Sequence, residues 1–197
     1  MANSNSIAAA GKSIERLLTA AFADPPVPVQ NKVTKAYLVR SEDLDHRSTS
    51  TIIVRPALSI YLYSVEVNKA MRAAWSGVTF HDGKPHLPLD LHFLLTPWGA
   101  NAEAEGAILG RAIQALDSNP LLSGPLLQQS GGWSPNEGLQ LLMDEISTEA
   151  VMRTFDSLAC DYRISVPYIA RMVRLDGRRA QPSPDVTTLV TGMVPPA

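Results

Sequence analysis

Cysteine, charge and long apolar runs are all scarce in this sequence, and each shortage narrows what the protein can be. Cys160 is the single cysteine among 197 residues, which excludes an internal disulfide and fits the reducing cytosol. No stretch approaches the roughly 20 apolar residues of a membrane-spanning helix. The N-terminus also lacks the basic start and apolar run of a signal peptide. We therefore expect synthesis in the cytoplasm and no direct insertion into a membrane.

Charge is low and nearly balanced. Charged residues make up 18% of the chain and the net charge is −2, so the molecule has no general attraction for nucleic acid or anionic lipid. A chain this poor in charge often covers part of its surface with another protein. The hydrophobic fraction of 45% is enough for a substantial core in one compact domain. We predict that domain over residues 1–178, followed by a C-terminal tail over residues 179–197.

The spacing of apolar residues changes along the chain between the period of a helix and that of a strand. Apolar residues at helical spacing predict three helices, and alternating or β-branched runs predict five strands. The predicted helices cover Ile7–Phe22, Ala102–Leu116 and the segment after the N-cap Ser147, and the predicted strands cover Ala36–Val39, Ala57–Val67, Leu87–Thr96, Leu139–Met143 and Tyr162–Leu175. This order predicts an α+β fold, with a single mixed β-sheet and helices packed on it.

Local signals add detail to this outline. Pro97 has no N–H for the β-ladder and is expected to end its strand. The hydrophobic alternation of the last strand slips near Pro167, which predicts an edge position or a bulge there. Ser41–Ser50 is polar and predicts an exposed loop, and His81–Lys84 carries the Asp-Gly signal of a tight hairpin turn.

The polar side of the predicted strand Leu87–Thr96 carries two candidates for chemistry, Asp90 and His92. Both lie on one face, so a general acid–base pair is one interpretation. The sequence supplies no obvious nucleophile or oxyanion site beside them. We favour the other interpretation, a polar sheet face with a buried, hydrogen-bonded histidine.

Signals for cofactors and metals are weak. Gly11-Lys12-Ser13 resembles the end of a P-loop, but Ser6 stands where the motif needs its other glycine, and no strand precedes it. The four histidines lack the tight, repeated spacing of a metal site. We predict no catalytic residue, no cofactor and no metal site.

Two charged stretches and one tryptophan are candidates for contact with a protein partner. The basic cluster at the end of the last strand is either a solvated edge or a contact for an acidic protein surface. It lacks the interleaved aromatic residues of a single-strand nucleic-acid binder. The tryptophan, Trp98, could anchor either the core or an interface with a partner. The candidates are Arg171, Arg174, Arg178 and Arg179 in the cluster, Asp43, Asp45 and Arg47 in the polar loop, and Trp98.

Four segments, taken together and in their order along the chain, resemble a known family. They are LSIYLYSVEVNKAMR (Leu58–Arg72), LPLDLHFLLTPWG (Leu87–Gly99), AILGRAIQALDSNPLL (Ala107–Leu122) and DYRISVPYIARMVRLD (Asp161–Asp176). They are similar to the cap, or tail-terminator, proteins of phage-tail-like extracellular contractile injection systems. The similarity spans most of Leu58–Asp176, and the strand that ends in Leu-Leu-Thr-Pro is its most specific part.

The resemblance implies a tail-terminator-like fold and a structural function without catalysis. Such proteins form sixfold rings, which arise when a head-to-tail contact closes on itself. We expect a homo-hexamer that ends polymerisation of the inner tube and engages the sheath end. Its partners are then the inner tube protein and the sheath protein of the same particle, and after synthesis in the cytoplasm it becomes part of that particle, whether the particle is released or stays anchored to a membrane. Two alternatives stay open: another phage-tail-like connector or baseplate adaptor, and a small α+β enzyme that uses Asp90 and His92.

Overall fold

The computed structural model describes residues 3–24, 28–29, 32–45, 52–72, 85–158 and 160–177. The predicted turn at His81–Lys84, the candidate contacts Arg47, Arg178 and Arg179, and the predicted tail lie outside these residues, so they stay predictions. The division into one domain and a tail stays a prediction as well. Among the described residues, no helix is long and apolar enough to cross a membrane.

All three predicted helices and all five predicted strands are present, and short elements lie between them. The helices are α1 (Ser6–Ala23), α2 (Ser41–Leu44), α3 (Lys69–Arg72), α4 (Ala102–Asp117) and α5 (Thr148–Asp156). The strands are β1 (Pro28–Val29), β2 (Lys32–Val33), β3 (Lys35–Val39), β4 (Ala57–Val67), β5 (His86–Trp98), β6 (Leu121–Ser123), β7 (Gly138–Met143) and β8 (Val166–Asp176). Short 3₁₀ turns at Gly124–Leu126 and Gln129–Gly131 separate β6 from β7.

The main sheet has six strands in the order β3-β4-β5-β8-β7-β6. β3 runs parallel to β4, whereas the other neighbours are antiparallel. β1 and β2 form a separate antiparallel pair. The prediction of an α+β fold with a mixed sheet is therefore confirmed.

The alternation of β5 divides the core between the two faces of the sheet. Its odd-numbered apolar side chains pack with α1 and α4, because a strand directs successive side chains to opposite faces. On the other face, Leu94 packs with Val151 and Phe155 of α5, and Trp98 packs with Leu44 at the end of α2. The result is a sheet with helices on both faces. The odd-numbered residues in question are Leu89, Leu91, Phe93 and Leu95.

Helix α5 is fixed at its start by the predicted N-cap. The Ser147 Oγ accepts a hydrogen bond from the Ala150 N–H at 3.2 Å, which satisfies one of the free donors at the helix start. Ile146, just before the cap, packs with the cluster that contains Val151. This pairing of apolar residues across a cap sets the direction in which the chain enters the helix.

The prediction of an exposed loop over Ser41–Ser50 was wrong for its first part. Ser41–Leu44 forms α2, and both Asp43 and Leu44 are buried. The Asp43 carboxylate accepts the Arg40 N–H at 2.9 Å, which is the side-chain half of a capping box. Leu44 anchors this turn in the core with Trp98. A single apolar residue in a polar stretch gave too little periodicity to reveal the turn.

Two strand ends also differ from the prediction. β5 does not end before Pro97 but continues to Trp98. Pro97 lies opposite Leu58 of β4. The pairing of β5 with β8 ends at Leu95, so Pro97 lies beyond the last β8 pair, where the ladder does not need its missing N–H. The last strand begins at Val166 rather than at Tyr162. Residues 161–165 are irregular and lead into it.

Candidate functional site

Two β-bulges lie beside the polar part of β5. On β8, Leu89 pairs with Val173 and Leu91 pairs with Ala170, so two β8 residues, 171 and 172, oppose Asp90 alone. On β4, a second register shift leaves Tyr63 as an extra residue between Leu62 and Ser64. The predicted bulge in the last strand exists, but it lies at residues 171–172 rather than beside Pro167. Bulges bend and twist a sheet, and they redirect side chains.

Asp90 holds the β8 bulge in place. Its carboxylate accepts hydrogen bonds from the Asn68 amide at 3.0 and 3.3 Å and from the Met172 N–H at 3.4 Å. The Arg171 Nε lies 3.9 Å from the same carboxylate. Met172 has a φ of 65°, a left-handed conformation that costs energy for a residue with a side chain. Asp90 is only 9% exposed, so the carboxylate positions backbone rather than facing solvent.

His92 belongs to a different cluster. Its Nδ1 lies 2.6 Å from an oxygen of Asp144, and the Tyr63 hydroxyl donates to the same oxygen at 3.2 Å. The rings of His92 and Tyr63 are 5.9 Å apart. Burial raises the pKa of Tyr63 above its ordinary value of 10.0, and the nearby Asp144 carboxylate raises it further. Tyr63 therefore remains a neutral donor, and the three side chains tie β4, β5 and the end of β7 together.

The geometry separates the two residues of the enzyme alternative. Asp90 bonds to the Asn68 amide and the Met172 backbone, whereas His92 bonds to Asp144. The described bond of His92 goes to a carboxylate and not to a hydroxyl or thiol nucleophile. In the described ranges, no group of three or more His, Cys, Asp or Glu residues could hold a metal ion. The arrangement supports the favoured interpretation of structural polar groups on a sheet face.

The segment that resembles a P-loop lies in the middle of α1 and serves packing. A Cβ on Gly11 would lie 2.9 Å from both Leu38 δ-carbons, so the glycine allows α1 to approach β3 closely. The Ser13 Oγ donates to the Ala9 carbonyl at 2.7 Å and accepts the Gln128 N–H at 2.8 Å. A buried hydroxyl that is already bonded in this way is not placed to bind a phosphate.

The β8 bulge brings Arg171 and Arg174 to one face. Their sequence spacing gives them opposite strand parity, but Ala170 and Val173 are both buried in the core beneath α1 and α4. The residues that follow each of them therefore point to the opposite face. Arg171 has a side chain that is 47% exposed. Arg174 is more enclosed, because it lies 2.9 Å from Glu137 and 2.8 Å from Asp176.

The remaining described candidates are mostly enclosed. Trp98 is 7% exposed, donates its indole N–H to the Ser59 Oγ at 2.8 Å, and stacks under the Arg163 guanidinium, 4.4 Å from the ring centre. The structure places it as a core anchor with little area for a partner. Asp43 is buried in α2, and Asp45 is half-buried just after it. Apart from Arg171 and Arg174, which share a face, the structure does not bring the described candidates together into one patch.

Several polar residues that organise the sheet were missed by the sequence reasoning. His86 Nδ1 lies 2.6 Å from Asp176 at the far end of the β5–β8 pair, and Arg174 links Asp176 to Glu137. Asn68 and Asp144 support Asp90 and His92 from other elements. Except for Arg174 and Asp176, which are two residues apart, the paired residues lie far apart along the chain, so no local pattern in the sequence could have found them.

The fold is similar to that of known proteins with solved structures. A cryo-EM structure of an extracellular contractile injection system, the PVC sheath/tube terminator in the extended state, is similar over 94% of this chain, with 15% identity and a TM-score of 0.52. The cryo-EM structure of the anti-feeding prophage cap, the AFP tube terminating cap, is similar over 93%, with 16% identity and a TM-score of 0.54. The matches cover 65% and 60% of those chains, so this chain spans somewhat less than two thirds of their length.

The fold is thus that of tail-terminator proteins, as predicted. The family model described as the Pvc16 N-terminal domain matches residues 9–188, and the chain belongs to that family. Among curated proteins, none matches this sequence.

Proposed function

We propose that this protein is a structural cap that ends the inner tube of a contractile injection particle. The observation that carries the proposal is membership of the Pvc16 N-terminal domain family over residues 9–188. The two solved neighbours, described as a sheath/tube terminator and a tube terminating cap, agree with it. They support a terminator over a connector or a baseplate adaptor.

The described polar groups suit such a role better than catalysis. Asp90 and His92, the residues of the enzyme alternative, bond to backbone and side chains that shape the sheet. A sheet that is held in one shape presents a preformed docking surface. Such a surface loses less conformational entropy on association than a flexible one. In this proposal the chain forms a closed hexameric ring, binds the last layer of inner tube protein and contacts the sheath end.

Arg171 is the described member of the predicted contacts that is best placed to touch a partner. Its guanidinium is half exposed, and its distance of 3.9 Å from Asp90 leaves it a weak internal partner. Arg174 and Asp43 are already held by internal ion pairs or hydrogen bonds. We therefore assign a tube or sheath contact to Arg171, and we assign Arg174 and Asp43 to stabilising the fold.

Binding of purified chain to assembled inner tubes tests this assignment. Arg171→Glu is expected to weaken binding by roughly tenfold, because it reverses one charge at an interface. Arg153→Glu is the matched control, since Arg153 is an arginine of a different element, α5, with a side chain that is 76% exposed and pairs with Glu149 of the same helix. Equal effects of the two substitutions would remove Arg171 from the contact. Absence of any binding by the wild-type chain to tube protein would remove the proposed function itself.

A further inference from the structure

The outer edge of β3 is one end of the six-stranded sheet. An edge strand carries unpaired N–H and C=O groups, and these can template the addition of another strand. Within the described residues, the edge of β3 is different, because side chains of α1 already accept two of its donors. The Leu38 N–H donates to the Glu15 Oε1 at 3.0 Å, and the Ala36 N–H donates to the Thr19 Oγ1 at 3.3 Å.

The two acceptors fit the strand by their spacing. Residues four apart on a helix rise about 6 Å, and residues two apart on a strand rise about 6.6 Å. Glu15 and Thr19 on α1 therefore match Leu38 and Ala36 on β3 when the helix runs antiparallel to the strand. Alternate residues of a strand direct their N–H groups to opposite edges. The two bonded donors are thus the ones that face away from β4.

Further contacts hold these acceptors in place. The second oxygen of Glu15 accepts from Lys12 Nζ at 2.6 Å, and the Glu15 side chain is only 19% exposed. Gly11, one turn earlier, lets α1 approach Leu38 without a clash. Ala36 and Leu38 also pack with the core that contains Ile14 and Leu18 of α1. Apolar contacts therefore anchor the helix beside the two hydrogen bonds, and the ion pair with Lys12, which lies within α1, holds the Glu15 carboxylate in position.

We infer that Glu15 and Thr19 block the β3 edge, so that the β3 strand of a second copy of this chain cannot pair with it. The occupant that is kept out is a second copy, because two identical β3 edges can pair antiparallel about a twofold axis. The consequence for capping rests on the proposed function. A terminator must offer no template for further addition, and its contacts with the tube are then made by side-chain surfaces rather than by a strand added to β3.

Two other stretches of the main sheet's edges are protected in other ways. β4 extends past its pairing with β3, which ends at Tyr61, but the bulge at Tyr63 and the exposed charge of Glu66 lie on this extension. At the opposite end, β6 has only three residues and leads directly into Gly124-Pro125. Bulges, charges, prolines and short strands are the usual means of discouraging edge pairing. β3 has the length for pairing and carries one exposed charge, Lys35, at its start, so the rest of its outer edge depends on α1.

The double variant Glu15→Ala/Thr19→Ala tests the inference on the isolated chain. Light scattering after size exclusion is expected to show a concentration-dependent increase in mass, to twice the wild-type mass or more. A synthetic peptide with the sequence of residues 34–40 is expected to bind the variant and not the wild type. Amide hydrogen exchange of residues 35–39 adds a local readout: faster than wild type in dilute variant, and slower again once the variant associates.

Glu15→Gln/Thr19→Ser is the matched control, because both side chains keep an oxygen acceptor, and it is expected to retain the wild-type mass. A folded alanine variant that keeps the wild-type mass and ignores the peptide would overturn the inference. Association of the control would also overturn it, since the acceptors would then not be what blocks the edge. If the double variant does not fold, Glu15→Ala alone decides by the peptide assay, and failure to bind refutes the inference. These readouts contain no tube protein, so they fail or succeed separately from the proposed function.

Discussion

Replacing Asp90 by alanine is the substitution that best separates a structural carboxylate from a catalytic one. The change removes an acceptor that serves the Asn68 amide and the Met172 N–H, and it leaves Met172 at a positive φ without its partner. Hydrogen bonds to a charged group contribute about 1.5 to 3 kcal/mol each. We expect the Asn68 bond, at 3.0 Å, to contribute a value within this range. The longer Met172 bond, at 3.4 Å, is expected to contribute at the low end of the range or below it.

The Arg171 contact adds little to this loss. Its guanidinium is 47% exposed and 3.9 Å from the carboxylate, and exposed pairs of this kind contribute at most about 1 kcal/mol. We therefore expect Asp90→Ala to lower the free energy of unfolding by about 2 to 4 kcal/mol. With a urea dependence of about 1 to 3 kcal/mol per molar, the unfolding midpoint falls by more than about 0.7 M.

Urea unfolding followed by tryptophan fluorescence measures this loss. Asp90→Asn is the matched variant, because it keeps an oxygen that can accept the Met172 N–H, and it should lose clearly less stability than Asp90→Ala. Arg171→Ala is the second control and is expected to cost no more than about 1 kcal/mol. The reasoning would be refuted if Asp90→Ala left the midpoint unchanged, or if Arg171→Ala cost as much. In either case the carboxylate would not be what holds the bulge.

Three further predictions concern the polar cluster, the core tryptophan and the α5 cap. Burial raises the pKa of Tyr63 above its ordinary 10.0, so above about pH 10 the folded state keeps a proton that the unfolded chain releases. The contribution of Tyr63 to stability is therefore constant below about pH 10 and falls above it. Tyr63→Phe should make this alkaline decrease shallower in urea titrations between pH 9 and 11, and an unchanged slope would contradict the prediction. Trp98→Phe removes the bond to Ser59 and should cost about 1 to 2 kcal/mol by thermal unfolding while tube binding persists; loss of binding in a folded protein would show an interface role instead. Ser147→Ala removes the N-cap of α5 and should cost about 1 kcal/mol, whereas Ser147→Asp should retain the wild-type stability in the same measurement.

The elements with a regular local pattern were predictable from the sequence. The alternation from Leu87 to Leu95 gave both the strand β5 and its core face, because side chains two apart must share a face. Ser147 marked the start of α5, since a hydroxyl before an apolar helical stripe caps free N–H groups. The resemblance of four segments to cap proteins then supplied the family, which composition and motifs alone did not indicate.

The features that the sequence reasoning missed depend on contacts between distant residues. The β8 bulge puts Arg171 and Arg174 on one face, and it exists because Asp90 on another strand holds the Met172 N–H. Asp144 reaches His92 from 52 positions away. The closed edge of β3 likewise depends on where α1 lies over the sheet. Such pairings are set by the tertiary packing, and a linear pattern of apolar residues does not contain them.

The length of inner tubes assembled with and without this chain, measured by electron microscopy, tests the proposed capping function most directly. Tube protein should form shorter tubes as the chain is added at increasing ratios, each with added density at one end. Tubes of unchanged length with bare ends, in the presence of excess folded chain, would contradict the account.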